Sequence, residues 1–294
     1  MPRLTIHHKT EYRYAHPVAF GEHRVMLRPR DGHDLRVLSG DLRIEPEPMR
    51  LRWIHDVFGN SVAIATFDER SDRLTVSWTA TVEHNPAEAF ALTPDEPAYF
   101  YPFLYDAEEF PDLRQFITPH YSDPNGELAA WARKFLDVES PTPTFQILSQ
   151  MTHGIRDAFS YRKRHEHGTQ HPLDTLQTGS GTCRDYALLM IEALRQLGIA
   201  ARFVSGYLFV PADEGYLGGG STHAWVQVYL PSAGWIEFDP TNGIVGTRDL
   251  VRVAVARDPR QAIPLHGTYL GPADAFIGME VNIRVVAAED VVEA

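Results

Sequence analysis

The chain has 294 residues and a mass of 33.2 kDa, room for two domains of ordinary size. Hydrophobic residues make up 44% and aromatics 11%, enough for a buried core and too much for wholesale disorder. Net charge is −12, with the acidic surplus falling entirely after residue 85; this argues against nucleic acid or an anionic membrane as main partner, since phosphate binding needs a basic footprint.

No run of 18 apolar residues occurs, so no membrane span is expected. The start, MPRLTIHHKTEYRY, has no apolar region after its charges and does not read as a secretory signal; the expected location is cytoplasmic. The one cysteine, Cys183, excludes an intramolecular disulfide and a cysteine zinc cluster. It is either a small core hydrophobe or a reactive thiol.

Residues 1–85 read as short strands with turns between them. LTIHHKTEYRY alternates, and HRVMLRPR, LRVLSGDLRIEPEP, LRWIHDVFGNSVAIATF and RLTVSWTATVEH follow at regular spacing. Turn signals stand at Asp31-Gly32, Glu45 to Pro48, Phe58 to Ser61 and Ser71-Asp72. A β-sandwich or small barrel is predicted. His7 and His8 are adjacent, so a strand sends them to opposite faces and denies them a shared metal. Residues 86–120 hold Pro86, Pro94, Pro97, Pro102 and Pro111, which forbid a long helix; they read as an ordered linker anchored by its aromatics.

Helical periodicity begins in NGELAAWARKFL, with Leu128, Trp131, Ala132 and Phe135 on one stripe. Ile147, Met151, Ile155 and Phe159 form a second. In GTCRDYALLMIEALRQLG, Ala187, Met190, Ile191 and Leu194 form a third, with Ser180, Thr182 and Asp185 suited to the helix start and Gly198 to its end. Cys183 falls in that first turn, four residues before Ala187. Partial positive charge and unpaired N–H groups there favour a thiolate over a thiol.

Strands follow. THAWVQVYL sends His223, Trp225, Gln227 and Tyr229 to one face; WIEFDPTNG sends Trp235, Glu237 and Asp239 to one face. If the two pair as a hairpin, Tyr229 opposite residue 233 sets His223 directly across from Asp239, and Tyr229 opposite Trp235 sets them on a diagonal. Either register allows a His–Asp hydrogen bond; a slip of one residue separates them. A cysteine at a helix start, a histidine and an aspartate are the groups that thiol catalysis needs: nucleophile, base and then acid, and a carboxylate that fixes the imidazole. The backbone N–H of Cys183 supplies one oxyanion donor. The competing reading is a buried structural cysteine, a surface histidine and an aspartate capping the turn before Pro240.

Gly181-Thr182-Cys183-Arg184-Asp185-Tyr186-Ala187, Gly198 to Tyr207, Thr222-His223-Ala224-Trp225-Val226 and Gly234 to Asn242 resemble, in order, the core of the transglutaminase-like superfamily. Tyr12, Tyr14, Leu27 to Arg30 and Asp56-Val57-Phe58-Gly59-Asn60 are similar to the β-rich domain that precedes this core in a bacterial subgroup described as transglutaminase-like cysteine proteases. The tail, Val253 to Gly271, resembles that subgroup's ending, with Ala256-Arg257-Asp258-Pro259 where Gly-Arg-Asp-Tyr is expected. The resemblance implies an α+β protein: a β-sandwich-like domain over 1–85, the linker 86–120, and a papain-like catalytic core over 121–294 whose nucleophile helix packs on an antiparallel sheet. It implies Cys183, His223 and Asp239 as catalytic residues, and activities from amide hydrolysis to transamidation of glutamine.

A second oxyanion donor is sought among Tyr161, Thr169, Gln170 and Gln177, with Tyr161 favoured. Trp225 and Trp235 are expected to wall the cleft. Asp185 is expected to bond helix N–H groups or a neighbouring loop, and Arg184 to meet a substrate carboxylate or a nearby aspartate. His165, His167 and His171 offer a zinc alternative, weakened by the lack of a supporting carboxylate shell. A non-catalytic binding module remains a further alternative. No metal or other cofactor is expected, and no EF-hand loop suggests calcium. The expected partner is a peptide or protein carrying an amide, with hydrolysis preferred over transamidation because nothing marks an amine site.

Overall fold

A computed structural model describes residues 3–86, 98–162, 168–211, 215–272 and 274–287. The chain opens with a 23-residue strand, β1 (Arg3–Val25), followed by β2 (Leu35–Glu45), β3 (Arg50–His55), β4 (Ser61–Thr66) and β5 (Arg70–His84). The first alternating run and the start of the second, His23–Val25, are thus one strand. Ser71-Asp72 lies inside β5; the chain turns just before it, at 67–69.

Next come β6 (Phe100–Tyr101), α1 (Phe110–Ile117), α2 (Glu127–Arg133), β7 (Thr142–Pro143), α3 (Thr144–Ala158), β8 (Ser160–Tyr161), α4 (Pro172–Thr178), β9 (Ser180–Gly181) and α5 (Cys183–Gln196). The last part holds β10 (Ala201–Leu208), β11 (His223–Leu230), β12 (Gly234–Asp239), β13 (Ile244–Val245), β14 (Leu250–Ala256), β15 (Leu265–Leu270) and β16 (Phe276–Ala287).

Two antiparallel sheets organise the molecule. The first runs β2-β5-β1-β4-β3, with β15 and β16 also on β1. The long strand makes this possible: residues 3–13 pair with β5 and 4–14 with β16, whereas 19–25 pair with β15 and 23–25 with β4. Register breaks between Arg13 and Val18 and between Phe20 and His23 let β1 bend, and the sheet curls around Leu4, Ile6, Val18 and Val25. The last two strands of the expected 121–294 unit therefore join the N-terminal sheet instead of the core. His8 points inward and His7 outward, as alternation requires.

The second sheet runs β13-β12-β11-β10-β14. Helix α5 lies across it. Ala187, Met190, Ile191 and Leu194 are fully buried against the group Ala224, Val226, Val228, Ile236 and Phe238. Twelve of its 14 residues are buried, so α5 is the core helix of this part. Its two charged residues near the end satisfy each other: Arg195 Nη1 donates to Glu192 Oε1 at 2.6 Å. The result is an α+β fold. In the expected linker, residues 87–97, with Pro94 and Pro97, lie outside the described residues. The remainder is anchored by aromatics, with Tyr101 Oη donating to the Leu197 carbonyl and Tyr105 Oη to that of Tyr229.

The two parts are joined by buried polar contacts. Arg252 on β14 donates to Asp34 at 2.6 and 2.8 Å and to Glu237 at 2.9 Å. Tyr207 Oη donates to the Leu27 carbonyl at 3.0 Å and stands 3.3 Å from His8 Nδ1. Asn60 exchanges two bonds with the Val255 backbone. Arg252→Met would leave two carboxylates buried without their cation. The expected loss is about 3–5 kcal/mol of unfolding free energy, read as a lower urea midpoint with little change in slope.

Candidate active site

The start of α5 is shaped by its cap. Thr182 N–H and Thr182 Oγ1 both donate to Asp185 Oδ2 at 2.8 Å, and the Gln170 N–H donates to Asp185 Oδ1 at 2.7 Å. Asp185 is fully buried and structural, as expected. Gly181 is required here, because a Cβ on it would stand 2.8 Å from that of Asp185. Cys183 is the first helical residue, 5% exposed, with its N–H at the unpaired end of the helix.

The neighbouring short pair β8–β9 delivers Tyr161. It runs parallel, setting Tyr161 beside Gly181, two residues before the cysteine. Cys183 is among the groups that perturb the Tyr161 phenol. Burial, then Cys183, hold its phenol protonated far above the usual range.

β11 and β12 pair with Tyr229 opposite Trp235 and Val226 opposite Phe238. This is the diagonal register, and it brings His223 Nε2 to 2.7 Å from Asp239 Oδ2. Both side chains are out of water, at 0% exposure. The other Asp239 oxygen accepts from Thr241 N–H at 2.9 Å, and Oδ2 also accepts from Asn242 Nδ2 at 2.8 Å. Burial works to neutralise the imidazole, but the Asp239 carboxylate overrides it, with help from Cys183, and the His223 pKa is raised to about 10. Burial likewise opposes ionisation of Asp239, yet His223 and the hydrogen bonds lower its pKa. Among the described residues His223 Nδ1, which is buried, has no hydrogen-bond partner, and Cys183 is among the groups that raise the ring's pKa.

Sequence reasoning gathered Cys183, His223, Asp239 and Tyr161, and these four do lie together. Gln177 does not: it is exposed on α4 and donates to Glu127 Oε2 at 3.0 Å. Gln170 spends its side chain on Thr175, Thr178 and the Ser180 carbonyl. Trp235 is also away from the site. It sits four residues before Asp239, roughly 13 Å along the strand, under the Arg202 guanidinium at 3.8 Å and against Phe116. Trp225 is fully buried and stacks beside His223, ring centroids 6.0 Å apart, so it braces the imidazole instead of walling an open cleft. Among the described residues Arg184 meets no carboxylate within hydrogen-bonding distance; it donates to the Pro259 carbonyl at 2.7 Å and lies over Phe203.

His165 and His167 lie outside the described residues. His171 caps α4, its Nδ1 accepting from Leu173 N–H at 3.2 Å. Among the described residues no cluster of metal-ligating side chains occurs, and no helix is long and apolar enough to cross a membrane. Two contributors were missed: Asn242 and Gly218. A Cβ on Gly218 would stand 2.8 Å from His223 Nδ1 and 3.8 Å from Tyr161 Oη. The signals were the Asn after Asp239-Pro240-Thr241 and the Gly-Gly-Gly run before Thr222-His223.

Residues 4–83 match the bacterial transglutaminase-like N-terminal region, and residues 129–240, which contain Cys183, His223 and Asp239, match the transglutaminase-like superfamily. The chain belongs to the transglutaminase-like superfamily, in a two-domain form. An uncharacterized protein of Mycobacterium tuberculosis is 29% identical over 96% of this chain and 92% of its own length. One of Mycobacterium leprae is 27% identical over 98% and 100%. A protein-glutamine gamma-glutamyltransferase of Pseudomonas aeruginosa is 40% identical over 24% of this chain and 11% of its own. The crystal structure of a candidate cysteine protease from Cytophaga hutchinsonii shares the fold, with a TM-score of 0.72 at 21% identity, over 98% of this chain and 92% of that one.

For this transglutaminase-like site the raised histidine pKa fixes a pH signature. The imidazolium is favoured by the folded state, so its contribution is fully present below about 6.5 and is lost as pH climbs through about 10. The wild type should therefore lose stability across that window relative to His223→Asn. Thermal midpoints of the two proteins from pH 6 to 10.5 check this; parallel curves would contradict it.

Proposed function

We propose that the protein is a thiol-dependent acyl-transfer enzyme that uses Cys183, His223 and Asp239 to hydrolyse a peptide or amide bond through a thioester. The observation that carries this reading is the buried 2.7 Å contact of His223 Nε2 with Asp239, which leaves Nδ1 for Cys183. An imidazolium beside the sulfur stabilises its anion.

In the reaction the Cys183 sulfur attacks the carbonyl carbon. The oxyanion that forms takes the Cys183 backbone N–H and the Tyr161 hydroxyl as donors, both on the side of the helix start. His223 gives its proton to the departing amine as the C–N bond breaks. The thioester remains. Water then attacks with His223 taking its proton, and the acid leaves as the sulfur anion returns. Asp239 holds the ring in one tautomer throughout and balances its charge.

Transamidation runs through the same thioester, with an amine replacing water. The burial of Cys183 and His223 favours this second reading, since a site that excludes water lengthens the life of the acyl-enzyme. So does the segment shared with the gamma-glutamyltransferase. Partition of the thioester between water and an added primary amine separates the two.

The test is intact-mass detection of a covalent adduct with a panel of peptide amides and electrophilic acyl probes. One acyl group should appear on the wild type and none on Cys183→Ala. Asp239→Asn should slow turnover roughly 10³- to 10⁴-fold. Absence of any adduct on the wild type, or its persistence on Cys183→Ala, would overturn the reading. Chelators should leave turnover unchanged.

A further inference from the structure

The Asp239 carboxylate is held by three donors, and one of them comes from a residue that also grips the loop covering the site. Asn242 Nδ2 donates to Asp239 Oδ2 at 2.8 Å and to the Leu217 carbonyl at 3.2 Å, and lies 3.5 Å from His223 Nε2. Asn242 Oδ1 accepts from the Leu217 N–H at 2.7 Å. Both N–H groups of the amide are therefore used, and both backbone groups of Leu217 are paired with one side chain.

Leu217 precedes Gly218, whose backbone packs against His223 Nδ1 and near Tyr161 Oη. With φ at +86°, Gly218 takes a conformation that L side chains rarely adopt. The segment has other anchors. Tyr216 Oη donates to Asp249 Oδ2 at 3.1 Å, and the Gly220 carbonyl accepts from the Ile283 N–H on β16 at 3.1 Å. Cys183 is 5% and His223 1% exposed. The Leu217–Gly218 backbone lies beside His223 Nδ1, and the amide that restrains it is bonded to the carboxylate that orients the imidazole.

We propose that Asn242 is a positioning residue for the acyl-transfer chemistry: one amide aligns Asp239 with His223 and clasps the Leu217–Gly218 backbone over the ring. This rests on the triad reading above. The amide acts through the carboxylate and the loop, touching neither substrate nor sulfur. Its donor side matters for alignment and its acceptor side for the clasp, which gives the two functions different chemical requirements.

The two half-reactions with p-nitrophenyl acetate distinguish positioning from mere support. In acylation p-nitrophenolate departs without needing a proton. In deacylation His223 must take a proton from water, so ring alignment weighs more heavily there. In Asn242→Ala we expect deacylation to fall about 10- to 100-fold and the acylation burst by less than about fivefold, with acyl-enzyme accumulating in the mass spectrum. Asn242→Asp keeps the shape and the acceptor for Leu217 N–H but loses the donor to Asp239; it should slow deacylation at least as much. Hydrogen exchange at the Leu217 amide should rise at least about tenfold in Asn242→Ala and less in Asn242→Asp. A wild type without burst or adduct refutes the triad reading itself. A reactive wild type matched by Asn242→Asp, an equal fall of both half-reactions, or unchanged Leu217 exchange in Asn242→Ala overturns the role of Asn242 alone.

Discussion

Everything at this site depends on one contact taken out of water: His223 Nε2 against Asp239 Oδ2, at 2.7 Å between two side chains of 0% exposure. Removing a carboxylate and an imidazolium from water is costly, and their mutual attraction repays it only if the remaining lone pairs are also met. For the carboxylate they are: Thr241 N–H and Asn242 Nδ2 donate to it. The cost is therefore met by a turn, Pro240 to Gly243, that follows the strand directly and turns its donors back onto Asp239. The contact also needs the strand register. With Val226 opposite Phe238, His223 and Asp239 are diagonal neighbours on one face; a one-residue slip would send one of them into the apolar face beneath α5.

The legible part of the site was the part written in local code. Thr182 and Asp185 announce a helix start, so Cys183 could be placed on its first turn from sequence. The parity of His223 and Asp239 limited the hairpin to two useful registers, though neither parity nor turn length chose between them; the structure takes the diagonal one. Trp235 shares that parity and was misassigned, because a face does not say how far along the strand a side chain sits. Gln177 failed for a related reason. The helix α4, signalled by His171, Pro172 and Gly179, turns Gln177 outward to Glu127. Asn242 acts through its contact with Leu217, 25 residues away, a pairing no local pattern encodes.

The fold shows the same division. Periodicity found α2, α3, α5 and the strands β11 and β12, but it could not say that β15 and β16 return to β1. That return changes the standing of the N-terminal part. The polypeptide begins in the first sheet, builds the second, and closes in the first. With Arg252 clamped between Asp34 and Glu237, the two sheets are fastened by chain and by charge. The N-terminal sheet thus braces β14 and β10, the strands that flank β11 on the side away from β12.

Bracing and the candidate site meet at Ile283. This residue belongs to β16, hence to the N-terminal sheet, and its N–H holds the Gly220 carbonyl of the segment that covers His223. That segment is thus held from three sides: by the turn after Asp239 through Asn242, by Asp249 through Tyr216, and by the N-terminal sheet through Ile283. A cover tied only to the core would move independently of the first domain. One tied to both has its position coupled to the seating of the N-terminal sheet. That arrangement gives the β-rich domain a backbone contact with the segment beside His223.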